Sequence, residues 1–304
     1  MTTFNLCDEP WIEVRYASGD TRLVSLHTAF SEADQIATIG GELPTQAVAI
    51  LRLMLAILIR ATRAQVADGL SAWMRWWRQG LPLAEVESYL DAWKHRFDLR
   101  DPTVPFLQVA TLATASGRRS GLGKLIADVP DGHPFFTTRA GSGRECIEAA
   151  EAARWIVHCQ SFDPSGIKSG AVGDERVRGG KGYPIGIAWA GWLGVVLLEG
   201  ANLCETLLLN LSLFAPDPAD DLPVWERDPL GATVEVDHTA PLGTADLYTW
   251  PSRRVLLIWQ DDLVVDTQIS NGDPLSPQNL NQLEPMTSWR RSPTQEKKLG
   301  LSTV

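Results

Sequence analysis

The hydrophobic pattern changes its period along the chain, and each change marks an element. From Trp11 to Tyr16 and from Arg22 to Leu26, apolar and polar residues alternate around Ala17-Ser18-Gly19-Asp20. A period of two flanking a turn-forming stretch predicts a β-hairpin. The period then lengthens. Val48, Leu51, Leu55 and Leu58 share one face of a helix that Thr45 can cap and that runs to about Arg63. Further helices are expected from about Ala64 to Gln79 and from Leu83 to Phe97, divided by Gly80-Leu81-Pro82. Glu145 to Gln160 also has helical character, whereas Ile185 to Leu198 reads as buried strand. Asn202 with Glu205 resembles a capping box for a helix through Leu213, ended by Pro216-Asp217-Pro218. A second hairpin is expected from Arg254 to Trp259, across Gln260-Asp261-Asp262, to Leu263-Val264-Val265. The stretch from Gln268 to Val304 is rich in Asn, Pro, Ser and Gln and carries no clear period.

One segment belongs to neither period. Between Ser161 and Gly186 glycines stand at 166, 170, 173, 179, 180, 182 and 186, interleaved with Lys168, Arg176, Arg178 and Lys181. Glycine costs backbone entropy on folding, so such a cluster implies positive φ angles or a backbone that comes close to something else. Exposed N–H groups beside Lys and Arg bind a polyanion well; the plain reading is a mobile surface loop. Two specific phosphate motifs fail on spacing. A Walker loop would need glycine where Glu175 stands and Ser or Thr where Gly182 follows Lys181. The dinucleotide fingerprint needs a strand before the glycines, where a helix is expected. A second unusual segment, His133 to Gly143, sets Phe135 and Phe136 between loop residues, either as rings pinned to the core or as an exposed stacking wedge. Trp73, Trp76 and Trp77, with Arg75 and Arg78, could stack bases, although tryptophans in amphipathic helices are more often core.

Composition narrows the class. With 304 residues, 44% hydrophobic and 21% charged, the chain is long enough for a sizeable core and reads as a soluble globular protein. A formal net charge of −10 argues against indiscriminate nucleic-acid binding. The charge is uneven: Ala215 to Pro285 holds about a dozen acidic residues against three arginines, while Ser116 to Lys181 is slightly basic. Cys7, Cys146, Cys159 and Cys204 form no metal-ligand spacing and fit reduced thiols in a cytoplasmic protein. The N-terminus lacks a signal-peptide pattern, and Ala47 to Ala61, interrupted by Arg52 and Arg60, reads as a buried helix and not a membrane span. His27, His95, His133, His158 and His238 make no HExxH, no G-x-S-x-G elbow is present, and Asp261-Asp262 fits a solvated turn. A binding role without cofactor or metal is favoured over a nuclease, helicase or kinase.

Several segments together resemble one family. FNLCDEPWIEVR (Phe4 to Arg15), FDLRDPTVPFLQV (Phe97 to Val109), PFFTTRAGSG (Pro134 to Gly143), SFDPSGIKSG (Ser161 to Gly170), RGGKGYP (Arg178 to Pro184) and GANLCETLLLNL (Gly200 to Leu211) occur in the order of the CasA family. CasA is the large subunit of the type I-E CRISPR surveillance complex Cascade. The resemblance implies an α+β fold: a single large mixed domain, residues 1–304, with β-hairpins, helices and long functional loops, equivalent to the family's N-terminal part and lacking its C-terminal helical bundle. It implies a non-catalytic subunit that docks on the other Cascade subunits and the guide RNA. Such a subunit recognises the PAM in double-stranded target DNA, helps begin unwinding and presents the complex to a helicase-nuclease. On that basis Ser165, Gly166, Lys168, Ser169, Gly170 and Lys181 are the expected DNA contacts, and Phe136 and Arg139 the expected contacts to the complex or guide RNA. Two alternatives stay open: an enzyme whose glycine loop holds a nucleotide or phosphorylated metabolite, and a docking scaffold that does not touch DNA.

Overall fold

The computed structural model describes residues 3–66, 68–129, 137, 139, 141–212, 219–276 and 280–299. At the N-terminal end β1 (Ile12–Tyr16) and β2 (Thr21–Val24) form the expected hairpin, with Ile12 opposite Val24 and Arg15 opposite Thr21. Gly19, at φ 95°, makes the turn possible. Ile12, Val14 and Tyr16 face inward, as the alternation predicts. Helix α1 (Leu26–Ser31) starts at Ser25, whose hydroxyl accepts from the Thr28 N–H at 3.2 Å. Strand β3 (Ile36–Ile39) then pairs with the free side of β1, giving the order β2-β1-β3.

Helix α2 (Pro44–Ala61) is the centre of the core. Every residue from Ala49 to Arg60 is buried, because α2 packs against α5 (Leu83–Trp93), α6 (Ala149–Phe162), α7 (Leu203–Asn210) and α8 (Thr244–Tyr248). It is long and apolar enough to cross a membrane, yet it is the buried core helix that the interrupting arginines led us to expect. Thr45 is not its cap: the helix opens with Pro44 at its first turn, and the Thr45 hydroxyl lies 2.9 Å from Nε2 of His158 instead. The helix expected over 64–79 is broken in two, α3 (Arg63–Val66) and α4 (Leu70–Gln79), where Gly69 adopts φ 50°. Likewise α5 stops at Trp93, and a 3₁₀ turn over Lys94–Arg96 replaces its predicted last turn.

A second sheet has the order β4-β8-β7, from β4 (Ile147–Glu148), β7 (Arg253–Gln260) and β8 (Leu263–Asn271). The β7–β8 hairpin turns where expected, with Asp261 at φ 54°, and a bulge falls between Ile258 and Trp259. Between α6 and this hairpin lie β5 (Lys168–Ser169) and β6 (Lys181–Gly182), a small pair inside the glycine segment. Residues 185–198 do not form the expected strand. A 3₁₀ turn, Trp189–Trp192, inserts Trp189 into the core, and glycines at 186, 191 and 194 interrupt any ladder. The α7 cap is half of a capping box: Asn202 accepts from the Glu205 N–H at 2.9 Å, but the Glu205 carboxylate accepts from Ala201. The helix ends at Asn210, and Pro216-Asp217-Pro218 lies outside the described residues.

The stretch beyond 268 is far from patternless. It completes β8, buries Leu280 and Met286, and adds α9 (Pro293–Leu299). Glu284 reaches Arg52 on α2 at 2.8 Å, with both side chains out of solvent. Four more inward arginines are paired the same way: Arg60 with Glu226, Arg154 with Glu42, Arg253 with Asp163 and Arg254 with Asp273. A buried guanidinium requires such a carboxylate, so these pairs fix which segments meet. The result is an α+β fold with small antiparallel sheets against a helical core.

Candidate nucleic-acid interface

The glycine segment leaves α6 at Asp163 and returns to the core at Gly186, and one residue holds both ends. Arg253, wholly buried on β7, donates to Oδ2 of Asp163 at 2.5 Å, to the carbonyls of Asp163 at 3.2 Å and Pro164 at 3.3 Å, and to that of Gly186 at 3.0 Å. Between these ends the backbone folds on itself: Lys168 faces Gly182, Ser169 faces Lys181, and the Gly170 N–H donates to Gly180 at 2.9 Å. The paired strip is moored to the end of β8. Ser270 Oγ donates to the Ser169 carbonyl at 2.8 Å, and the Asn271 amide donates to the Tyr183 carbonyl at 2.6 Å. Arg176, paired with Asp174, donates to the Gly272 carbonyl at 3.0 Å.

A second loop lies along β8. Ser120 donates its N–H to Thr267 at 2.7 Å, its hydroxyl accepts from Ile269 at 2.9 Å, and the Gly121 N–H donates to Asp266 at 2.9 Å. Between the two loops is a cleft of about 540 Å³, with Arg119, Ser120, Gly123 and Lys124 on one wall and Pro164 to Ser169 on the other. Ile126, His158, Cys159 and Ile269 line it more deeply. That floor is uncharged at neutral pH: burial pushes His158 down to about 4, against a smaller opposing effect of Asp163, and pushes the Cys159 thiol up to about 12. A thiol so protonated is no nucleophile, so adjacent His158 and Cys159 do not form a catalytic thiolate pair. Positive charge sits at the rim, where Arg119 and Lys124 are exposed. Asp163 also holds Lys168, at 2.6 Å, so its single negative charge meets two cations and the clasp is net positive.

The expected DNA contacts divide accordingly. Ser165, Gly166, Lys168 and Ser169 line the cleft, and Ser165 is exposed. Lys168 is not a free cation: its side chain is only 12% exposed in the ion pair with Asp163. Gly170 is buried outside the cleft because Val177 packs over it, and Lys181 is exposed on β6, outside the cleft lining. Arg139 lies elsewhere. Its guanidinium binds Asp128 at 2.9 Å and Glu151 of α6 at 2.5 Å. Phe136 lies outside the described residues. Arg119 and Lys124 were not among the residues singled out, although Gly117-Arg118-Arg119-Ser120-Gly121-Leu122-Gly123-Lys124 repeats the same glycine and cation interleaving. Among the described residues no cluster of three His, Cys, Asp or Glu could hold a metal.

The family model described as CRISPR-associated protein Cse1 matches residues 5–302 of this chain. The chain belongs to the Cse1 family. CasA/Cse1 of Thermus thermophilus is 32% identical over 296 residues, which cover 94% of this chain and 55% of that protein. The crystal structure of Thermobifida fusca Cse1 has 46% identity and a TM-score of 0.90, over 99% of this chain and 58% of its own. The chain thus spans somewhat more than half the length of these Cse1 relatives. A chain of a CRISPR RNA-guided surveillance complex, at 21% identity and a TM-score of 0.79, shares the fold; the match covers 97% of this chain and 60% of that chain.

Proposed function

We propose that this chain is the nucleic-acid-binding part of a non-catalytic Cse1 subunit, acting in the cytoplasm within a CRISPR RNA-guided surveillance complex of the Cascade type. In this reading it recognises the PAM of double-stranded target DNA at the rim of the glycine-loop cleft. The segment bearing Phe136 and Arg139 meets the rest of the assembly and the guide RNA, and the subunit helps begin unwinding and presents the complex to a helicase-nuclease. The observation that carries the reading is the cleft itself, lined by two glycine-bearing basic loops that are both fixed to β8. A rigid base with small residues at the edge lets backbone approach a groove, and guide pairing then reads the remaining sequence.

The test is binding of target duplex by the other subunits with and without this chain, on permissive and mutated PAMs. Tighter binding confined to the permissive duplex is expected. Lys181→Ala and Arg119→Ala should each reduce the salt slope by about 0.9. Lys168→Ala should act more weakly, since its ammonium must first leave Asp163. Unchanged slopes in the first two variants favour a scaffold that does not touch DNA. The cleft volume also suits a nucleotide or phosphorylated metabolite, and stoichiometric retention of a nucleotide by the isolated chain would favour that enzyme reading instead.

A further inference from the structure

Helix α4 presents a surface that the cleft does not use. Its inner face is settled by Ala72 and Trp76, which are buried, and by Trp73, whose indole N–H donates to the Leu208 carbonyl of α7 at 2.8 Å. The outer face is apolar. Leu70, Met74 and Trp77, spaced at i, i+4 and i+7, are 58%, 40% and 41% exposed. Trp77 stacks on Trp73 with ring centroids 5.1 Å apart and an interplanar angle of 16°. One indole face is therefore covered, and the exposed area falls on the other face and the edges. Arg78 lies beside the stripe, one turn on from Met74, and Arg75 lies farther round the helix; both are exposed, with no ion pair among the described residues. The ten-residue helix has no acidic side chain, although the chain as a whole carries −10.

We propose that α4 is a second nucleic-acid site, taking an unpaired strand with a base stacked on Trp77 and phosphates on Arg75 and Arg78. Three properties select this occupant. Trp73, fixed by α7 and lying nearly parallel to Trp77, makes the outer indole a pre-set platform, and every base has a face to lay on it. The local charge is complementary to phosphate and opposite in sign to the net charge of the whole chain. The stripe is also small. A helix of this length spans about 15 Å, room for roughly four nucleotides at the ~3.4 Å per-strand spacing of stacked bases. Three side chains on it fall well short of the ~800 Å² per partner of a stable protein interface.

The experiment is fluorescence anisotropy of a labelled ten-nucleotide oligothymidylate titrated with the full chain, free of other subunits. Trp77→Ala should weaken binding about ten-fold or more, and Trp77→Phe should recover part of the loss. Arg75→Gln with Arg78→Gln should lower the salt slope by about 1.4, two single-strand contacts at ~0.7 each. Absence of wild-type binding at low salt overturns the proposal. So does wild-type affinity in Trp77→Ala. Loss of binding in Lys181→Ala with Trp77→Ala unaffected would overturn it by placing the strand at the glycine segment. A change in sedimentation on Trp77→Ala without a change in oligonucleotide binding would overturn it too, by making the stripe a contact between copies. None of these outcomes depends on PAM reading, which requires the other subunits.

Discussion

His158 lies on the cleft floor with its ring stacked on Phe162 and Nε2 against the Thr45 hydroxyl. Burial lowers its pKa from 6.5 to about 4. Between these values the unfolded chain binds a proton that the folded chain refuses, so stability is full above the unfolded value and is lost as pH falls toward 4. The loss is about 2–3 kcal/mol. Urea unfolding near neutrality and near the folded pKa should show His158→Asn losing less stability on acidification than the parent by that amount; equal losses would mean that the imidazole is not held neutral. At this scale the sequence is a poor guide to partners. Lys168 was legible as a cation beside glycines, but not as a cation already bound to Asp163. Nothing local tells Thr45 that its hydroxyl meets a ring on α6, or Arg139 that Asp128 and Glu151 await it.

Within the glycine segment the decisive quantity is space. A Cβ on Gly170 would lie 2.4 Å from one Val177 methyl, 2.7 Å from the other and 3.1 Å from the Gly180 carbonyl. Gly170→Ala should therefore cost about 1–3 kcal/mol and loosen the strip that presents Lys181. Adding Val177→Ala should restore most of the stability. A double variant no better than Gly170→Ala alone, measured by denaturant midpoints, would rule out the steric cause. Elements with a clean period were legible from sequence: both hairpins formed where alternation placed them, and the helix before the glycines formed from Ala149, four residues later than the spacing placed it, because Ile147–Glu148 pair with β8 instead. Residues 185–198 were not, because an apolar run does not distinguish a strand from a coil that sinks single side chains such as Trp189 into the core. The break at Gly69 was equally hidden, since a lone glycine is tolerated in a helix as often as it ends one.

Across the whole molecule, buried arginines act as cross-links between distant segments. Arg52 on α2 lies 4.0 Å from the Tyr248 ring centre and pairs with Glu284, which also accepts from the Trp189 indole at 2.7 Å and the Met286 N–H at 2.9 Å. Removing the cation alone leaves a buried carboxylate, so Arg52→Met should cost about 3–5 kcal/mol. Arg52→Met with Glu284→Gln keeps acceptors for the indole and the amide, and should recover more than half. If the double variant is as unstable as the single, the carboxylate charge is not the cause. The stretch after 268 lacked a period because its role is made of such long-range contacts, which composition does not record. The same pair also has a consequence during synthesis. Its partners are 232 residues apart, and at roughly 5–20 residues per second about ten to fifty seconds pass between the appearance of one and of the other. Throughout that interval the most apolar helix of the nascent chain carries a guanidinium with no carboxylate to meet, so it cannot reach its native surroundings. The speed of the ribosome, more than the strength of the core, sets how long that helix is exposed to wrong partners.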